Sequence, residues 1–166
     1  MISRAGATTQ DPAINYRIAD LDALDLLATS FELAYSSLAL NYIEDFARLA
    51  RGVHRALAPG GHFVFSIEHP IYMAAKQPGW LVHEQGHRTW PIDHYACEGE
   101  RHTDWVASDV LKFHRTLATT VNTLIKTGFV LRHLEEFAPH SRAGRSISRV
   151  GRGVGSASNA ADCCAT

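Results

Sequence analysis

The chain has 166 residues, of which 46% are hydrophobic and 20% charged, and its formal net charge is −1. That length suffices for one domain with a buried core, and the charge balance excludes an overall field that would draw in nucleic acid or an anionic membrane surface. No apolar run reaches membrane-spanning length and the first residues lack an apolar signal-peptide region. Cys97, Cys163 and Cys164 fit neither a disulfide framework nor a zinc spacing, so the expected compartment is the cytoplasm.

In chain order, residues 1–13 are small and polar and read as a loose leader. Ile14-Asn15-Tyr16-Arg17-Ile18 alternates apolar and polar residues, as a short half-buried strand does. After a loop over 20–27, Phe31 to Ser36 reads as a second strand. Ile43, Phe46, Leu49, Ala50, Val53 and Leu57 then share one helical face, with Asn41 and Glu44 as the expected capping pair. Pro59-Gly60-Gly61 is expected to stop this helix and turn the chain into a third strand, His62 to Ile67.

Residues 69–108 show no clear period but hold Trp80, Trp90 and Trp105 with Tyr72 and Tyr95. So long and aromatic a connection is expected to be a functional lid and not a disordered loop. Ser108-Asp109 is expected to open a second helix, with Val110, Phe113, Leu117, Val121, Leu124 and Ile125 on one face and Gly128 as its C-terminal cap. Phe129 to Phe137 reads as a strand. From about 140 to 166 the composition is Gly, Ser, Ala and Arg, and this tail is expected to be disordered. The order strand, helix, strand, helix, strand predicts an α/β fold with a mainly parallel sheet.

Three segments in order carry a family resemblance. Phe31-Glu32-Leu33-Ala34-Tyr35-Ser36-Ser37 with the helix after it resembles the fourth strand and following helix of class I S-adenosylmethionine-dependent methyltransferases, the type 11, ubiquinone-biosynthesis-like group in particular. Leu57-Ala58-Pro59-Gly60-Gly61 and the strand after it are similar to that family's L-x-P-G-G turn and fifth strand. Ala19-Asp20-Leu21-Asp22 resembles the loop after its third strand. The match covers about residues 14–139 and implies an incomplete Rossmann-like sheet, strands three to six of the family, with an aromatic lid over 69–108. It implies a C-terminal part of the family's fold: the glycine-rich turn after a first strand is missing, and the single Gly-x-Gly, Gly151-Arg152-Gly153, follows no apolar strand.

The resemblance implies S-adenosylmethionine as cofactor, a small-molecule methyl acceptor, and impaired activity in so short a chain. A non-catalytic module completed by a partner is the other reading, since unpaired sheet edges invite self-association. Asp20 and the Leu21 backbone are the expected adenine contacts, with an ordinary loop aspartate as the plain alternative. Ser36 and Ser37 end the fourth strand, where the family places the methionine part of the cofactor; alternatively this turn merely starts a helix. His69, after the fifth strand, would orient the acceptor or take its proton, or is structural. Glu68, Tyr72, Trp90 and Trp105 are the expected acceptor contacts. Asn41 stands where many relatives carry a histidine and cannot serve as a base. His83 and His87, four apart without a helical face, do not make a metal site, and His114 is expected at the edge of the core.

Overall fold

Two parallel strands packed on two helices make the apolar centre of the chain. The computed structural model describes residues 2–9, 11–105 and 107–136, with the side chain of Trp105 outside the described set. The expected disordered tail from 140 onward also lies outside the described residues. The chain divides into two units, Met1–Leu131 and Arg132–Thr166. In the second, residues 132–136 are irregular, and His133 faces Glu135 at 3.5 Å.

The first unit opens with helix α1, Ile2–Thr8, which buries no residue. Residues 2–8 of the expected loose leader are thus helical. The Thr8 hydroxyl donates back to the Arg4 and Ala5 carbonyls, which closes its last turn. The expected strand over 14–18 does not form. Those residues are exposed and irregular, because an alternating pattern needs a neighbouring strand to complete its hydrogen bonds.

Strand β1, Phe31–Ser37, pairs in parallel with β2, Leu57–Ser66. Helix α2, Phe46–Ala56, joins them. It starts later than the Asn41–Glu44 pair suggests. Asp45 is the cap, its carboxylate accepting the Arg48 N–H, while Leu40–Tyr42 forms a 3-10 turn. Pro59-Gly60-Gly61 does not separate helix from strand either. The register passes from Phe31 opposite Leu57 to Leu33 opposite His62, so the three residues bulge within β2. Gly60 takes φ 82° there, and a Cβ on Gly61 would lie 2.9 Å from the Ala58 carbonyl oxygen and 3.1 Å from that of Glu32. A backbone this close to its neighbour tolerates only glycine.

Helix α3, Pro70–Ala74, a short hairpin of β3 (Leu81–Val82) and β4 (Arg88–Thr89), and strand β5, Gly99–Trp105, lie within the segment that lacks a clear period. Strand β6, Ala107–His114, pairs antiparallel with β5. The single helix expected from Ser108 onward is therefore strand β6 followed by helix α4, Leu117–Thr127, capped by Thr116. Val110 and Phe113 belong to the strand. The pairing with β5 supplies backbone partners that a sequence pattern cannot show. Gly128, at φ 108°, caps α4 as expected. The strand expected over 129–137 is irregular through 136, and Phe137 lies outside the described residues.

Among the described residues there are three two-stranded sheets, one parallel and two antiparallel, in a mixed α/β arrangement. The mainly parallel sheet is not what forms. The core joins Leu40, Ile43, Phe46, Leu49, Ala50, Val53 and Leu57 to Leu124 of α4, with Ala34, Phe63, Phe65 and Phe129 packed against it. The apolar face read from the spacing of α2 is the face that is buried.

Candidate functional site

The carboxyl ends of β1 and β2 lie side by side, the edge where open α/β sheets hold ligands. The parallel register sets Ser36 beside Phe65 and Ser37 beside Ser66, with the two serine Oγ atoms 3.4 Å apart. Leu38, the first residue past β1, takes φ 52°. An L-residue pays about 1–3 kcal/mol for such a conformation. Its N–H donates to the Ser66 carbonyl at 3.0 Å, which closes the turn.

Glu68 and His69 leave β2 at this same edge. The His69 Nδ1 accepts the Ile71 N–H at 3.1 Å, so the ring caps α3, and Pro70 at the first helical position suits that role. A neutral ring with its proton on Nε2 is the tautomer this bond requires. Glu68 receives the Lys112 ammonium at 2.7 Å, and Lys112 is only 4% exposed. The same ammonium lies 6.0 Å from the centre of the Tyr42 ring. Lys112 of β6 thus fixes the carboxylate at the end of β2, with the Tyr42 ring beside its ammonium.

Arg115 completes this wall. Its guanidinium donates to the Ile43 and Leu40 carbonyls at 2.8 and 2.6 Å and stacks on Phe46 at 5.3 Å. Burial pulls its pKa below the ordinary value, and the charges of Glu98 and Asp22 oppose that pull. Leu40, Asn41, Glu68, Arg115 and Thr120 line a void of about 10 Å³, roughly the room one water needs. Asn41 is buried here and takes no part in helix capping.

Asp20 stands at the start of a 3-10 turn over Leu21–Ala23. Its exposed carboxylate accepts the Asp22 N–H at 2.9 Å. Leu21 packs against the core, and its carbonyl takes a 2.8 Å hydrogen bond from Arg48 of α2. The turn is therefore anchored to α2.

The aromatic residues meet on α3. Trp90 donates from Nε1 to the Ile71 carbonyl at 3.2 Å, and its ring lies 5.2 Å from Tyr72 and 5.3 Å from Trp80. Because α3 starts where β2 ends, Tyr72 and Trp90 belong to the same side of the sheet as Glu68. Trp105 ends β5, and its side chain lies outside the described residues. His83 and His87 face each other across the β3–β4 hairpin at 5.6 Å, with His83 Nε2 2.9 Å from the Thr89 hydroxyl. His114 is on β6, not on a helix, and is 0% exposed. Its Nε2 donates to the Tyr95 carbonyl at 2.9 Å.

The edge therefore unites Ser36, Ser37, Glu68 and His69 with Tyr72 and Trp90 on the segment that follows, and the Asp20–Leu21 turn, tied to α2, brings the charge of Asp22 within reach of Arg115. Sequence reasoning missed Ser66, Tyr42, Lys112 and Arg115. A lysine inside Val110-Leu111-Lys112-Phe113 was the available signal, since a cation flanked by apolar residues at strand period faces a partner or solvent, and here it faces Glu68.

Residues 1–65 match a family described as "Methyltransferase domain". An uncharacterized protein of Haemophilus influenzae is 33% identical over 114 residues, covering 68% of this chain and 45% of its own length. Malonyl-[acyl-carrier protein] O-methyltransferase of Pseudescherichia vulneris is 37% identical over 60 residues, covering 36% of this chain and 24% of its own. The chain thus spans less than half the length of these curated relatives. Among solved structures, an S-adenosylmethionine-dependent methyltransferase from Mesorhizobium loti is 57% identical with a TM-score of 0.83, covering 89% of this chain and 67% of its own. A protein described as of the same class from Listeria monocytogenes is 33% identical with a TM-score of 0.78, covering 84% of this chain and 66% of its own.

Proposed function

The chain belongs to the S-adenosylmethionine-dependent methyltransferase family, and from that premise we propose that it serves methyl transfer to a small-molecule acceptor at the carboxyl edge of β1 and β2. The observation that carries this reading is the convergence at one edge of Ser36, Ser37, Ser66, Glu68 and His69, with the carboxylate of Glu68 held by buried Lys112.

Bound S-adenosylmethionine supplies the methyl group on a positively charged sulfur. The residues present fit the adenine end of that molecule, because Asp20 offers an exposed carboxylate as acceptor for an amino group on a turn tied to the core. Ser36 and Ser37 offer hydroxyls beside the strand end. The acceptor is oriented by the fixed Glu68 carboxylate, whose second oxygen can take a hydrogen bond from an O–H or N–H. Tyr72 and Trp90 offer aromatic surface to its apolar part, and Trp105 joins them in this reading. While its Nδ1 caps α3, His69 carries its hydrogen on Nε2 and cannot take a proton there, so in this reading it orients the acceptor and is not its base. Positioning and water exclusion then supply most of the rate gain.

This chain by itself holds the cofactor weakly. In this reading the cofactor's contacts are the Asp20–Leu21 turn and the Ser36 and Ser37 hydroxyls, which give few hydrogen bonds to the charged methionine end. Each lost hydrogen bond to a charged group costs about 1.5–3 kcal/mol, and about 1.4 kcal/mol is tenfold in affinity. Calorimetric titration with S-adenosylmethionine is the test. Binding weaker than about 100 µM that Asp20→Ala weakens further agrees with the reading. Binding untouched by Asp20→Ala removes the adenine assignment, and no saturable binding in any form of the chain favours the non-catalytic module.

A further inference from the structure

Asn41 is 7% exposed, and its side-chain amide has no hydrogen-bond partner among the described residues. An amide taken out of water without a partner costs free energy, and buried polar groups are therefore nearly always paired. Asn41 lies in the 3-10 turn Leu40–Tyr42, which Arg115 pins through the Leu40 and Ile43 carbonyls. Those bonds hold the turn, and the amide with it, against the core. The amide lines the cavity of about 10 Å³ together with Glu68, Arg115 and Thr120. Each of these keeps some hydrogen-bonding capacity. Glu68 receives Lys112 on Oε2, and a carboxylate has further lone pairs. Arg115 has N–H groups beyond those that bind the two carbonyls. The Thr120 hydroxyl donates to the Thr116 carbonyl at 3.1 Å, and its oxygen can still accept.

We propose that this cavity is a binding site for a single water, which joins Asn41 to the Glu68 carboxylate and makes Asn41 a positioning residue for it. Size and charge select the ligand. A cavity of about 10–15 Å³ holds one water, given a few polar partners around it. The Arg115 guanidinium bars a cation and the Glu68 carboxylate bars an anion, so the ligand is neutral. It must donate to the carboxylate and accept from the guanidinium, as a water does. The Asn41 amide suits such a ligand in either orientation, since one end accepts and the other donates. A hydroxyl of the methyl acceptor has the same chemistry. In the chain without added cofactor or alcohol, solvent is the only source of that oxygen.

Glu68 then has two anchors on elements remote from each other in sequence. Lys112 holds it from β6, and the water ties it to the turn after β1. Two anchors fix the direction in which the carboxylate presents its remaining lone pairs. The use of that carboxylate toward an acceptor rests on the methyl-transfer reading, but the water site does not. Its test reads the water and not methyl transfer, so either can fail alone.

Nuclear magnetic resonance of the isotopically labelled full chain tests the proposal, through magnetisation transfer from water to the Asn41 side-chain amide. The expected result is transfer of opposite sign in the laboratory and rotating frames, the mark of a long-lived bound water. Asn41→Asp identifies the amide resonances by removing them. Glu68→Leu, a change on another element, should abolish the transfer while the amide resonances remain. An asparagine that merely packs would not respond to it. Should Glu68→Leu fail to fold, a crystal structure of the parent chain decides, with an oxygen expected within about 3.2 Å of both side chains. Absence of transfer in the parent chain, transfer that survives Glu68→Leu, or a crystal structure without that shared oxygen overturns the proposal. So does a higher urea midpoint for Asn41→Leu, because leucine stabilises only where the amide had no partner to lose.

Discussion

The layer of α2, α4 and the β1–β2 pair buries mainly apolar residues, Phe46, Leu49, Ala50, Val53 and Leu124, whereas the segment from α3 to β6 buries Arg101, Lys112 and His114 beside Met73, Ala74 and Ala75. The first is held mostly by apolar area. The second adds directed bonds to a smaller apolar patch. Arg101, 7% exposed, donates from Nε to the Ala74 carbonyl at 2.9 Å and from its terminal nitrogens to the carbonyls of Glu100 and Cys97. It ties β5 to α3 and to the loop before it, while Lys112 ties β6 to the end of β2. The difference teaches where specificity resides. Apolar packing tolerates exchange of one aliphatic residue for another, but a buried cation stripped of its acceptors, or acceptors stripped of their cation, costs free energy at once. The candidate site draws on both: Ser36, Ser37 and Ser66 end the strands of the apolar layer, while Lys112, which holds Glu68, comes from the directed side.

Substitutions that weaken one region while sparing the other sharpen this contrast. Phe46→Ala should have the largest effect, a loss of about 3–5 kcal/mol from the cavity it leaves, together with the ring on which Arg115 stacks. Urea unfolding followed by fluorescence and circular dichroism reads it, and a loss below about 1 kcal/mol would show that α2 is not central. Arg101→Met comes next. It keeps apolar bulk but orphans the Ala74 and Cys97 carbonyls, at about 1–3 kcal/mol for each group left unpaired. Hydrogen exchange should speed in α3, β5 and β6 while α2 keeps its protection. Uniform loss of protection would mean that the two regions open as one.

Asp45→Ala removes the cap of α2 and should cost about 1 kcal/mol, read as an earlier urea midpoint; Asp45→Asn should restore most of it. The smallest effect concerns Glu98, which accepts from the Thr116 N–H and hydroxyl at the start of α4. Burial pushes its carboxyl up, but hydrogen bonds from Thr119 and Thr116 and the nearby His114 outweigh this and leave its pKa lowered. A lowered folded-state pKa gives stability that is present above the unfolded value, about 4.3, and is lost as pH falls through the folded one. Thermal melts from about pH 7 down to about pH 3 should therefore fall more steeply for the parent chain than for Glu98→Gln. Parallel curves would show that this carboxylate does not couple α4 to the segment before β5.

The sequence by itself determined the parts whose cause is local. The spacing of Phe46, Leu49, Ala50 and Val53 dictates the buried face of α2, Gly128 dictates the end of α4, and the apolar runs at 31–36 and 62–67 dictate the two strands whose carboxyl ends carry Ser36, Ser37, Glu68 and His69. Tertiary structure decided everything that depends on a distant partner. Residues 14–18 alternate like a strand but remain irregular for want of a neighbour to bond, while 107–114, which read as helix, become β6 because β5 supplies one. Asp45 displaces the Asn41–Glu44 pair as the cap because residues 40–42 are drawn into a turn that Arg115 pins from far along the chain. Lys112 reaches Glu68 across 44 positions, and no local pattern encodes such a pairing. Helical and strand periods record which face of an element meets the core, whereas the choice between strand and coil, and the partner of a buried charge, rest on hydrogen bonds between segments remote in sequence.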